Sequence, residues 1–492
     1  MNRQIAKLTI VFMTIFLVLF AQLNLTQLIR AKEYKSDPSN TRSISMTFTE
    51  PRGLIRTADD EIIAETISTP GDLKRLRQYP FDNLYAHITG FISFEYGASG
   101  LERLYNSYLS GTEIEVRVQN ASDLFLNRNR TANLELTLRH DVQLVARAAL
   151  GNRLGAVVAM NPQDGAILAL WSNPSYDPNS FSSHDLNRVD DFRDDLLSDT
   201  QNPIRSKAYQ ESYPPGPIFS VITASAGLSD MTIVKDRPIY PQVGYYVAPQ
   251  TNSPITNVDG KICGGTIYEM LEESCNTGFA QMAISLGPTI LVDTAEAFGF
   301  NTELTIDLPD ITKSFIHQPE FYEPNLSLLA QSGIGKGGVS ATPLQMASVV
   351  STIANGGTFF SPRIINKITT NDGEVLKNYR PQILDRPITK SVSEELMAIL
   401  SDSVERGTGQ SVQTEGVKVG AKIGTVRVEN SSATHNWVIA FAPVTNPEVA
   451  VAVFVEEGGS EGVYTQGTDA GSIARAVIEA SLRLSTSTVN KP

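Results

Sequence analysis

The tightest constraint on this chain is local: in Tyr213-Pro214-Pro215-Gly216-Pro217-Ile218-Phe219-Ser220, three prolines and a glycine stand directly before the apolar run 221–228. Proline has a fixed φ and no N–H, so it suits the first turn of a helix, where that N–H would be unpaired anyway. The stretch predicts a helix entrance at Pro217.

With 492 residues the chain has room for about three domains, and a 41% hydrophobic content suits a globular core. The net charge is -13 and no dense Lys/Arg block occurs. A surface that tracks phosphates is therefore excluded, and nucleic acid with it.

Residues 8–21 are apolar and uncharged, and the uncharged stretch continues to residue 29. That length is near the roughly 20 residues needed to span a bilayer, and it reads as one membrane helix. Arg3 and Lys7 place its N-terminus in the cytoplasm, while Arg30, Lys32 and Lys35 on the far side weaken that asymmetry. The rival is a cleaved signal peptide, but no small-x-small cleavage pattern lies around Ala21. Either reading puts the bulk of the chain outside the cytoplasm. In an oxidising compartment the only cysteines, Cys263 and Cys275, can close a short loop worth about 3 kcal/mol. The alternative is two buried thiols. Without nearby histidines the pair cannot complete a zinc site, so no metal and no cofactor is expected.

Residues 31–150 are polar and punctuated by turn signals at 37–40, 51–53, 70–72 and 82–83, with one amphipathic pattern at 139–150. They read as a small α+β pedestal domain. Beyond it, the apolar runs 155–160 and 166–172 flank a turn at 161–165. Near the C-terminus 437–442 and 449–455 flank a turn at 443–447, with a strand at 418–428 just before. The middle (221–228, 266–273, 342–354) and the end (470–484) read as helices. Strands from both ends of a domain, paired into one antiparallel sheet with helices on its faces, make a mixed α/β layered body. The expected boundaries are an anchor at 1–30, a pedestal at 31–150, a main domain at 151–485 and a tail at 486–492, without internal repeats.

The chain resembles the class B penicillin-binding proteins of the actinobacterial type through nearly all of its exported part. The residues that carry the resemblance stand in the family's order: Arg52-Gly53-Leu54-Ile55, Gly155-Ala156-Val157-Val158-Ala159, Asn173-Pro174-Ser175-Tyr176-Asp177-Pro178-Asn179, Tyr213-Pro214-Pro215-Gly216, Ser274-Cys275-Asn276, Ala341-Thr342-Pro343-Leu344-Gln345-Met346-Ala347 and His435-Asn436-Trp437. The resemblance implies a serine β-lactamase-like transpeptidase domain with a five-stranded antiparallel sheet, a non-catalytic pedestal and one membrane helix. It also implies a chemistry: a serine at the helix start, activated by a lysine one turn on, attacks a D-Ala-D-Ala carbonyl. A Ser-x-Asn loop relays protons, and a Lys-Thr-Gly strand binds the carboxylate and lines the oxyanion hole. The partners so implied are peptidoglycan or lipid-linked precursor peptides and, in the membrane, a polytopic glycan polymerase.

Laid over that pattern, the nucleophile falls on Pro217 and the general base on Ser220. Hydroxyl and amine must stand at i and i+3 to share a helix face, and neither is present. Pro217 also lacks the N–H that in this family is one of two oxyanion donors, a loss worth about 10² to 10³ in rate by itself. Ser-x-Asn survives as Ser274 and Asn276. The strand motif survives as Lys422, Gly424 and Thr425, with Ile423 in place of a threonine, which removes a donor from carboxylate recognition. These residues are expected to outline a vestigial substrate pocket. The implied function is a catalytically inactive transpeptidase homologue that scaffolds or regulates cell-wall assembly. The competing reading is an active enzyme using another hydroxyl, such as Ser212, Ser220 or Ser274. No lysine has a serine three positions before it, and the nearest imitation is Thr232 with Lys235. The run 333–338 lacks the residues of a phosphate loop, and His435 reads as packing or surface rather than as a base.

Overall fold

The computed structural model describes residues 2–26, 48–70, 73–117, 130–427, 433–460 and 468–487. The turn signals at 37–40 and 71–72, residue 428 of the expected last-motif strand and residues 488–492 of the expected tail lie outside the described residues. Helix α1 (Asn2–Asn24) contains Lys7–Asn24, which is long and apolar enough to cross a membrane. The hydroxyls of Thr9 and Thr14 donate to the carbonyls of Ile5 and Ile10 one turn earlier, so these polar groups are satisfied within the helix.

The main body is built on the five-stranded sheet that the sequence pattern predicts. Its strands are β1 (Gly155–Met160), β2 (Ile167–Asn173), β3 (Gly420–Arg427), β4 (Ala433–Ala442) and β5 (Val449–Ser460), in the spatial order β3-β4-β5-β1-β2. All neighbours are antiparallel. The C-terminal hairpin therefore lies beside the N-terminal one, and β3, which carries the last motif, becomes an edge strand. β1 is buried at every position, so both faces of the sheet must be covered. One layer is α2 (His140–Leu150) packed with the C-terminal helix Thr468–Ser487. The other is α3 (Ser220–Ser229), α4 (Ile267–Glu272), α5 (Asn276–Ala297), α6 (Pro343–Ala354) and α7 (Lys390–Glu405). Every residue of α6 is buried and only Ser229 of α3 is not, so these two helices form the apolar centre. Their starts are set by side chains. Thr342 caps α6 with Pro343 in its first turn, and Thr266 and Glu269 close a capping box on α4. α5 is interrupted where Gly287, at φ 78°, precedes Pro288.

The pedestal carries a six-stranded sheet in the order Val375–Asn378, Ile365–Thr370, Ala132–Leu136, Ile55–Arg56, Ile62–Ser68, Arg75–Gln78. Two of these strands come from far along the chain, so the main body lends a hairpin to the pedestal. Beneath the sheet Glu102 accepts from Arg52 Nε and Arg77 Nε, each at 2.6 Å, and all three side chains are essentially fully buried.

Candidate functional site

The segment before α3 is clamped from three sides. Tyr213 exchanges backbone hydrogen bonds with Ala341 and stacks its ring on Phe454, with centroids 4.1 Å apart. Trp437 Nε1 donates to Pro214 O at 3.0 Å, and Gly216 N donates to Gly335 O at 3.0 Å. Gly216 has φ +56°, and a Cβ on it would stand 2.1 Å from Val426 Cγ2 on β3, so only glycine fits. The chain then makes a tight 3-10 turn, Gly216–Phe219, and enters α3. The helix entrance expected from the prolines is there, tighter by that turn than a plain α-helix.

Pro217 is buried inside this turn. Its ring Cδ lies 3.3 Å from the point where a Cβ on Gly424 would sit, and Ile218 N lies 3.0 Å from the same point. The strand thus passes the seat of residue 217 at a distance only glycine allows. Ser220 is buried, and its Oγ donates to Pro217 O at 2.7 Å, so the hydroxyl is used inside the turn and faces no reacting group.

Lys422 and Ser274 are brought together. Lys422 lies on β3 with a side chain at 0% exposure, and its Nζ donates to Ser274 Oγ at 2.6 Å and to Ile423 O at 3.1 Å. Burial disfavours the ammonium and pushes the amine down to about 7. Ser274 is half-buried and sits at φ +60°, a left-handed conformation that costs a serine about 1 kcal/mol or more. Its neighbour holds it there: Cys275 donates its N–H to Met270 O at 2.8 Å, and its sulfur is bonded to Cys263. Asn276 opens α5 but is buried, with Nδ2 donating to Thr256 O at 3.1 Å. Thr425 Oγ1 donates to Asn436 Oδ1 at 3.3 Å, and Ile423 is buried at 6% exposure. Of the residues singled out in the sequence, Ser274 and Lys422 meet, Pro217 and Gly424 meet, and Asn276 and Thr425 are tied to neighbours.

The imitations dissolve. Lys235 Nζ sits over the Tyr268 ring at 5.1 Å, and Ser212 Oγ donates to Ser340 Oγ at 3.3 Å. His435 is buried between Tyr213 and Phe454, its Nδ1 accepts from Glu457 N at 3.3 Å, and burial lowers its proton affinity. The run 333–338 is a turn that seats Gly335, at φ +67°, against Gly216. One supporting cluster was not read from the sequence. Buried Lys207 reaches Glu456 at 2.7 Å, Glu211 at 3.3 Å and Tyr213 Oη at 3.2 Å, fixing the start of the clamped segment. Only the i,i+4 spacing of Lys207 and Glu211 hinted at it. Among the described residues no group of three His, Cys, Asp or Glu side chains could hold a metal.

Comparison with known proteins places this frame. Residues 155–479 match the model of the penicillin binding protein transpeptidase domain, and residues 52–134 match that of the penicillin binding protein A dimerisation domain. The chain is 33% identical to the peptidoglycan D,D-transpeptidase PbpA of Mycolicibacterium smegmatis, over 98% of this chain and 99% of that one. It is 31% identical to PbpA of Mycobacterium tuberculosis with the same coverage. The crystal structure of PBPA from Mycobacterium tuberculosis superposes with a TM-score of 0.81 at 30% identity, covering 88% of this chain and all of that one. The penicillin G acyl-enzyme complex of the same protein gives a TM-score of 0.82 at 31% identity, with the same coverage. The fold, the ordered motifs and these likenesses agree: the chain belongs to the penicillin-binding protein transpeptidase family, as a class B member of the actinobacterial type with degenerate active-site motifs.

Proposed function

We propose that this protein is a membrane-anchored component of peptidoglycan assembly that has lost transpeptidation and acts as a scaffold or regulator. The observation that carries the reading is the seat of residue 217. An imino acid there offers neither hydroxyl nor N–H, and the hydroxyl one turn on is spent on the turn's own carbonyl. Everything that positions the seat is intact, so a docking surface shaped like that of an active relative is retained while the reaction is not. The relatives named as peptidoglycan D,D-transpeptidases support the cell-wall setting, and helix α1 supports the anchor. By resemblance to class B proteins, a polytopic glycan polymerase is the first candidate partner, with precursor peptides as candidate ligands of the pocket.

The test is a cross-linking assay with the full chain in detergent and a stem-peptide donor and acceptor. No cross-linked product is expected from the protein as it stands. The double variant Pro217→Ser with Ser220→Lys restores hydroxyl and amine at i and i+3 in an unchanged frame, and it should gain covalent penicillin labelling at residue 217. Turnover through a replacement nucleophile is the competing reading, and cross-linked product from the unaltered chain would establish it.

A further inference from the structure

A cavity of about 530 Å³, within the usual size of a ligand site, lies where the pedestal meets the main body and shares no residue with the clamped segment. Leu76, on the last strand of the pedestal's sheet, forms one wall, and residues of the stretch 177–192 form the rest. That strand, Arg75–Gln78, is a sheet edge, and such an edge ordinarily invites an added strand. Here it is closed at both ends. The Asn179 side chain accepts from Tyr79 N and donates to Tyr79 O, each at 2.9 Å, and His184 Nε2 donates to Arg75 O at 3.1 Å. An extended peptide therefore finds no run of free backbone to pair with, and recognition falls to side chains.

Those side chains offer a mixed set of unused groups. With its proton on Nε2, the neutral His184 ring keeps Nδ1 as an acceptor. Asp177 spends Oδ1 on Asn179, and Asp185 spends Oδ1 on the backbone N–H of Arg188, which leaves Oδ2 of each. The Ser180 hydroxyl and the Arg188 guanidinium have no partner among the described residues. A bare anion would meet two carboxylates here, and a bare cation would meet the guanidinium. Hydroxyl and amide groups, which both donate and accept, match the set. The last wall is the half-buried ring of Phe192, packed edge-to-face with Phe181 at 5.3 Å between centroids and 74° between planes. It gives a flat apolar surface against which the C–H face of a sugar ring can lie.

We infer that this cavity is a saccharide site whose ligand is a short run of acetylated amino sugars, the glycan part of peptidoglycan. The inference rests on the cell-wall setting of the proposed function. An acetamido group brings an N–H for a carboxylate, a carbonyl for Arg188 and a methyl for Leu76, while ring hydroxyls serve Ser180 and His184. A glycan held there touches pedestal and main body at once, beside a small apolar cluster of Ala86, Tyr176, Phe181 and Val189 that is separate from the main core.

The experiment titrates the full chain, in a detergent without a sugar headgroup, with tetra-N-acetylchitotetraose, a soluble oligomer of N-acetylglucosamine, by isothermal calorimetry. Maltotetraose serves as the sugar without acetamido groups. Saturable binding of the acetylated sugar and none of maltotetraose is expected. Arg188→Gln removes an exposed charge, and Phe192→Leu keeps an apolar group against Phe181; each should weaken binding by about tenfold. No saturable binding, equal binding of maltotetraose, or undiminished affinity in Arg188→Gln overturns the inference, and Arg188→Gln decides even if Phe192→Leu folds poorly. The two readings fail separately. A protein that binds no sugar leaves the loss of transpeptidation and the cell-wall setting intact, whereas cross-linked product from the unaltered chain refutes that loss and leaves the sugar site intact.

Discussion

Lys422 is a cation kept where no cation is welcome. Its amine is wholly enclosed, held by one hydroxyl and one carbonyl, and burial brings it down to about 7 from the ordinary 10.5. Between these two values the unfolded chain binds the proton more fully than the native protein, so wild-type stability rises with pH across that window and the cost is greatest below it. Lys422→Met keeps the length of the side chain and removes the desolvated charge, at the expense of two hydrogen bonds of about 1 kcal/mol each. The variant should be more stable than the wild type by about 1–2 kcal/mol at pH 7, with an advantage that shrinks towards pH 10 in thermal melts taken at a series of pH values. An advantage that grew with pH would contradict the buried, proton-poor amine. That such a residue persists at a stability cost is what a functional position looks like.

At the level of elements, the pedestal is fastened by an ion cluster rather than by its short strands. Burial alone would raise the carboxyl of Glu102, but Arg52 and Arg77 beside it hold it below its ordinary value. Arg52 also reaches Asn106 Oδ1, and Arg77 reaches Gly53 O. A carboxyl lowered in the native state contributes stability above the unfolded carboxyl range, and this is lost as the pH falls through the lower, folded value. Glu102→Gln leaves two buried guanidiniums with one neutral acceptor and should cost about 3–5 kcal/mol in denaturant unfolding near neutrality. A change under about 1 kcal/mol would mean the cluster is not closed. Little of this was legible beforehand, because Arg52, Arg77 and Glu102 have no periodic relation and only the fold brings them together. By contrast, the main sheet was legible from 155–172 and 418–455, where alternate apolar runs and turn chemistry act locally. The same split holds in the site. Pro217, Ser220 and Ile423 show their departure from the family's motifs through residue type alone. The capture of Asn276 by Thr256 O and the left-handed turn at Ser274 depend on chain segments that no local pattern links.

The whole molecule departs most from a reading by segments at the boundary between pedestal and main body. The hairpin of Ile365–Thr370 and Val375–Asn378 lies well inside the stretch 155–479 that matches the transpeptidase model, yet it extends the pedestal's sheet, pairing Ile368 with Leu134 and Thr369 with Asn133. Other ties cross the same boundary: Tyr105 Oη donates to Asp307 at 2.7 Å, and Tyr209 Oη donates to His87 O at 2.6 Å. One apolar core runs through both parts, from Ile55 and Leu134 to Ile365 and Val453. Domains that share a sheet and a core cannot open independently without exposing both, so the soluble part should unfold in one cooperative transition. A piece starting at residue 139, which keeps α2, would leave Ile365 and Ile368, both fully buried, without cover and the hairpin without its partner strand. That piece should melt several degrees below the chain that retains its pedestal and bind a hydrophobic dye at temperatures where the intact chain does not. Two separate transitions in calorimetry, or an unchanged melting temperature for the shortened piece, would show that the shared strands carry no coupling. If the coupling holds, an event on the pedestal reaches the common core behind the clamped segment at Tyr213. The shared core then gives a physical route by which a molecule bound at one end alters the pocket at the other.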